Sequence, residues 1–73
     1  MRVLEELTFS WRRAHAEATL AYLHWRREGD RTAYAVYRAA QDRADAAQDA
    51  LEDHHRAERL RNALTPAAVD RPA

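Results

Sequence analysis

The chain has 73 residues with one glycine, two prolines and no cysteine, which confines it to one small domain and excludes a disulfide scaffold or a thiolate metal or redox site. Its 12 basic residues, all arginine, balance 12 acids, which excludes a protein that grips polyphosphate backbones by bulk charge. Half of the apolar residues are alanine, so the material for a core is thin. No apolar run approaches the roughly 20 residues of a membrane span, and Met1 to Glu6 does not read as a signal peptide. The expectation is a cytoplasmic chain with no membrane contact and no cofactor.

Alanine, leucine, arginine, glutamate and glutamine favour helix throughout, so the expected fold class is all-α. The first helix is expected over about 3–28. Arg26 and Arg27 fall in its last turn, where positive charge suits the dipole. Gly29 stands where a left-handed C-terminal cap is wanted, and Asp30 follows as a candidate N-cap. The second helix is expected over about 31–64 and stops at Thr65-Pro66, since a proline disfavours helical geometry at the residue before it. The domain reading is a helical hairpin over 1–64 and a flexible C-terminal tail over 65–73.

A two-residue junction between long helices predicts an antiparallel hairpin in which facing residue numbers total about 60. On that register the segment from Ala57 to Leu64 has no partner in its own chain. The alternative is one long helix bent at Gly29, since a lone glycine inside a helix costs only about 1 kcal/mol.

Each helix carries two apolar faces. In the first, Leu4, Leu7, Trp11, Ala14, Ala18, Ala21 and Trp25 repeat at alternating steps of three and four, the seam spacing of a coiled coil. Phe9, Ala16, Leu20 and Leu23 fall on nearly the opposite side at about 100° per residue. In the second helix one seam reads Ala33, Tyr37, Ala40, Ala44, Ala47, Leu51 and then His54 or His55. Another reads Ala35, Ala39, Ala46, Ala50, Ala57, Leu60 and Leu64. Arg38, Gln41, Asp45, Gln48, Asp49, Glu52, Arg56 and Arg59 occupy the remaining, wet arc. Leu4, Leu7, Trp11, Trp25, Tyr37 and Leu51 are therefore the expected hairpin core, and Phe9, Leu20, Leu23, Ala46, Ala50, Ala57, Leu60 and Leu64 the expected interface.

One hairpin covers one seam per helix. Leaving Phe9, Leu20 and Leu23 in water forgoes roughly 1.5–3 kcal/mol each, and a chain this small has little stability to spare. The economical solution is a homodimer, two hairpins forming a four-helix bundle about a two-fold axis. The competing solution is an obligate partner protein that supplies the missing helices.

Other constellations point to other classes. Glu52 and His55 form a Glu-x-x-His pair, the spacing used by carboxylate-bridged di-metal sites in ferritin-like bundles. Glu5 or Glu6 lies opposite on the hairpin register, so Glu52, His55 and Glu6 define the alternative reading, a metal-binding half-bundle. The bland reading is ordinary surface charge, with His55 at the rim of the core. His54 and Glu58 supply two ligands one turn apart, where a structural zinc site needs four. Arg12-Arg13, Arg26-Arg27, Arg56, Arg59 and Arg61 suggest nucleic acid, but acids interrupt them and no recognition motif accompanies them. The acidic run Asp42, Asp45, Asp49, Glu52 and Asp53 is expected to set register or partner choice. Ser10 and His15 lie on different faces, and no glycine turn offers an oxyanion site, so no enzyme is expected. Tyr22, Trp25, Tyr34 and Tyr37 cluster about the turn. They read as a plug over the alanine seam, with Tyr22 or Tyr34 as the anchor if the cluster binds a partner. The overall expectation is a small adaptor, regulator or accessory subunit that acts through its surface.

Overall fold

The computed structural model describes residues 2–64. Two helices, α1 (Arg2–Glu28) and α2 (Arg31–Ala63), pack against each other as an antiparallel hairpin, and no strand occurs among the described residues. The tail expected at 65–73 lies outside the described residues. No described helix is long and apolar enough to cross a membrane.

The reversal takes two residues, Gly29 and Asp30. Gly29 adopts φ +70°, a left-handed conformation that costs most other residues about 1–2 kcal/mol. There its N–H donates to the Trp25 carbonyl at 2.7 Å, satisfying one of the open carbonyls at the end of α1. Asp30 then holds extended geometry (φ −99°, ψ 171°) and accepts from the Ala33 N–H at 2.7 Å, capping α2. At the far end of α2, the Leu64 N–H donates to the Leu60 carbonyl at 3.0 Å.

An added Cβ at Gly29 meets nothing within 4 Å, so Gly29→Ala carries only the backbone penalty. It is expected to destabilise the hairpin by about 1 kcal/mol. That lowers the thermal midpoint by roughly 4–8 °C in a domain of this size. Circular dichroism melting checks it, and an unchanged midpoint would contradict a left-handed residue at the turn.

Two cross-helix contacts fix the register. The Trp11 indole N–H donates to Gln48 Oε1 at 3.0 Å, and the Arg43 guanidinium stands 4.0 Å from the Glu17 carboxylate. Both pairs total about 60 in residue number, the pairing that a turn at Gly29-Asp30 dictates. Since α2 has 33 residues against 27 in α1, its last two turns run past the start of α1. His54 is the last half-buried residue, and every residue from His55 to Leu64 is exposed.

Among the described residues the buried ones are all alanine: Ala18, Ala33, Ala40 and Ala44, each 5% exposed or less. Ala18, Ala40 and Ala44 form the centre of the contact, with Ala14 and Ala21 against them. Small side chains let the two backbones approach, and the bulkier Leu4, Leu7, Trp11, Trp25, Tyr37 and Leu51 line the margins, all half-buried. Among the described residues no large side chain is fully enclosed.

Candidate functional site

The hairpin presents four surfaces on which function can rest: the aromatic turn, a groove along one side, the overhang of α2, and the outward faces of both helices.

At the turn, Trp25 lies against Tyr37 with ring centroids 5.5 Å apart and planes within 5° of parallel. Tyr34 meets Trp25 edge-on at 5.1 Å, and Tyr22 packs on Tyr37 at 5.4 Å. Four rings from both helices thus close the end of the alanine seam, with Trp25 and Tyr37 half-buried between the outer two. Such offset and edge-to-face pairs add roughly 0.5–1.5 kcal/mol each beyond area burial. Tyr22 is tied down further by Arg26, whose guanidinium donates to the phenol oxygen at 3.0 Å and lies over the ring at 5.8 Å.

Along one side, Phe9, Arg13, Glu17 and Arg43 border an open groove of about 310 Å³. The Glu17 carboxylate lies between the Arg13 guanidinium at 3.6 Å and that of Arg43 at 4.0 Å. The two cations already share an anion from their own chain. Ser10 also lines the groove, whereas the His15 ring stacks on Trp11 with centroids 5.6 Å apart.

The metal-type pairs sit beyond the well-packed part of the hairpin. Glu52 is exposed and accepts from Gln48 Nε2 at 3.1 Å; Glu6 and His55 are exposed as well. His54 stands 3.7 Å from the Glu58 carboxylate. Among the described residues no group of three or more His, Asp or Glu comes together in a way that could hold a metal ion. His54, not His55, takes the seam position at the rim of the core, because the seam reaches residue 54 in the step of three that follows Leu51.

The ion pairs that the arginines form lie mostly within one helix: Arg13 with Glu17, Arg27 with Glu28, Arg38 with Asp42, Arg56 with Asp53 and Arg61 with Glu58. The acidic run is likewise engaged locally, with Asp45 accepting from Gln41 at 3.1 Å and Asp53 from Arg56 at 3.2 Å. The cross-helix ion pair, Arg43 with Glu17, lies outside that run.

The outward faces hold the largest exposed apolar side chains. On α1, Phe9 is 66%, Leu20 67% and Leu23 51% exposed; on α2, Leu60 is 57% exposed, and Leu64, at its C-terminal cap, is 78% exposed. Ala46, Ala50 and Ala57 are exposed beside them.

Two residues assigned to the wet arc behave otherwise. Gln48 receives the Trp11 indole hydrogen bond, and Gln41 is half-buried. Both flank the seam within one helical step, and the register total of about 60 was the signal that could have paired Gln48 with Trp11.

Comparison with protein-family models, with curated proteins and with solved structures finds no match for the chain.

Proposed function

We propose that this chain is a small non-enzymatic protein–protein interaction module, an adaptor, regulator or accessory subunit, that works as a homodimer of hairpins. Four helices make up the assembly, and the uncovered end of α2 is left to bind a further protein. One observation carries the reading. The contact between α1 and α2 fully buries only alanines, while Phe9, Leu20 and Leu23 stand on the other side of α1 more than half exposed.

The energetics favour a second copy over solvent on that face. Burying a Phe or Leu side chain yields roughly 1.5–3 kcal/mol, and a small hairpin that fully buries only alanines and leaves its larger seam residues half-exposed has little stability to spare. A two-fold dimer covers the same face on both chains at once. The overhang then offers Leu60 and Leu64 on a stretch of α2 that α1 does not reach.

Sedimentation equilibrium of the untagged chain over a range of concentrations tests this. The expected species has twice the 8.5 kDa mass of the chain and dissociates on dilution. A single species of chain mass at every concentration overturns the reading.

A further inference from the structure

The outward face of α1 is symmetric in its chemistry. Counting from Ala16 in both directions, the steps are four, three and four, and they reach Arg12, Phe9 and Glu5 on one side and Leu20, Leu23 and Arg27 on the other. At about 100° per residue these seven positions lie within about 40° of Ala16 and form one stripe, roughly 160° from the seam residue Ala18. All seven are exposed in the hairpin.

We infer that a second copy of the chain covers this stripe with its own α1, antiparallel, about a two-fold axis through Ala16. The inference rests on the homodimer proposed above and specifies its contact. With the axis at Ala16, Glu5 faces Arg27 of the second copy and Phe9 faces Leu23. Arg12 lays its aliphatic stem along Leu20 while its guanidinium stays in water. Each pairing occurs twice. Ala16 meets its own counterpart, and its small side chain lets the two backbones close on the axis.

Charge selects this arrangement over a parallel one. Parallel helices in register would set Glu5 on Glu5, Arg12 on Arg12 and Arg27 on Arg27, three like-charge contacts along one seam. The groups needed for the antiparallel pairs are free to make them. Glu5 has no ion pair with any described residue, and Arg27 makes only a 4.0 Å exposed contact with its neighbour Glu28. The outer face of α2 lacks this symmetry: its leucines gather at one end, Leu60 and Leu64, and Asp53 sits among its alanines.

The direction of the stripe sets the architecture. A closed square of four helices needs each helix to present two faces about a right angle apart. Here the two faces of α1 are nearly opposite, so the four helices lie in a row with the α1 pair at the centre. The outer face of α2 and its overhang remain open on both flanks.

The chain has no cysteine of its own, so single cysteines report the contact directly. Ala16→Cys is expected to give a disulfide-linked dimer rapidly under mild oxidation, because a residue on the axis meets itself within the roughly 4.4–6.8 Å Cα separation a disulfide requires. Leu20→Cys alone stays unlinked, whereas a mixture of Phe9→Cys and Leu23→Cys chains links as a mixed dimer. Glu5→Arg or Arg27→Glu alone is expected to raise the dimer dissociation constant about tenfold, and the double exchange to restore it. Efficient linking through Leu20→Cys as well as Ala16→Cys would mean a parallel contact, and linking through Leu20→Cys with none through Ala16→Cys would place the axis away from Ala16; either result overturns the inference. A dimer in which none of these cysteines link puts the contact on another face, which overturns the inference and leaves the homodimer standing. A monomer by sedimentation overturns both.

Discussion

Leu23→Glu is expected to break the dimer while leaving most of the helical far-UV signal in place. Leu23 is half exposed in the lone hairpin and faces away from α2, so a carboxylate there costs the hairpin itself little. In the dimer the same carboxylate is placed against the apolar Phe9 ring of the second copy, twice per assembly, and Arg27, one turn along its own helix, is already engaged by Glu5 of the second copy. Burying an unpaired charge costs several kcal/mol. A penalty of only about 3 kcal/mol already weakens association more than 100-fold. Leu20→Glu is expected to be milder, about tenfold, because Arg12 of the second copy stands opposite and pairs with the new carboxylate. Sedimentation velocity on both variants measures the difference. Unchanged mass for both would place the dimer contact elsewhere.

The hairpin contact itself is tested at Ala40, which is 2% exposed at the centre of the alanine cluster. Ala40→Glu puts a carboxylate at the centre of the contact, among Ala18, Ala44, Ala14 and Ala21, where no space is left for its hydration. The expected loss is about 3–5 kcal/mol, comparable to the whole stability of a chain this small, so the variant is expected to lose its cooperative melt. Ala39→Glu, one residue earlier on an exposed position, changes stability by about 0.5 kcal/mol or less. Thermal melting of the two variants side by side checks the contrast. Equal effects would mean that α2 does not present Ala40 to α1.

How much of this was readable from the sequence follows from which signals are local. A lone glycine followed by aspartate, between two long helix-forming runs, specifies the turn chemistry directly, and Gly29 and Asp30 adopt the left-handed and capping roles those residue types favour. The steps of three and four from Leu4 to Trp25 place one face of α1 in contact because seam spacing and helical pitch nearly coincide. Boundary positions were harder. His54 and His55 are both within reach of the seam on an idealised wheel, and only the packed pair decides that His54 turns inward. Gln48 looks like a surface residue by type, yet the relative placement of the helices carries its amide oxygen to the Trp11 indole.

The second apolar face was visible as a pattern, but a wheel alone does not say which of two faces α2 takes. Once Trp11, Ala18 and Trp25 are known to face α2, the stripe through Ala16 is left outward. Its chemical symmetry then has a physical use. The aromatic turn needed the structure for a different reason. Tyr22, Trp25, Tyr34 and Tyr37 are near in sequence, but the near-parallel stack of Trp25 on Tyr37 depends on the crossing of the two helices.

Native mass spectrometry of the untagged chain, purified from its own source cells without chelator, tests the central claim most directly. The account predicts a species of two identical chains with no added mass, dissociating to single chains as Leu23 is replaced by glutamate. A single chain bound to a different protein, or a bare monomer at working concentration, would contradict it, because the outward face of α1 would then belong to another partner or to none.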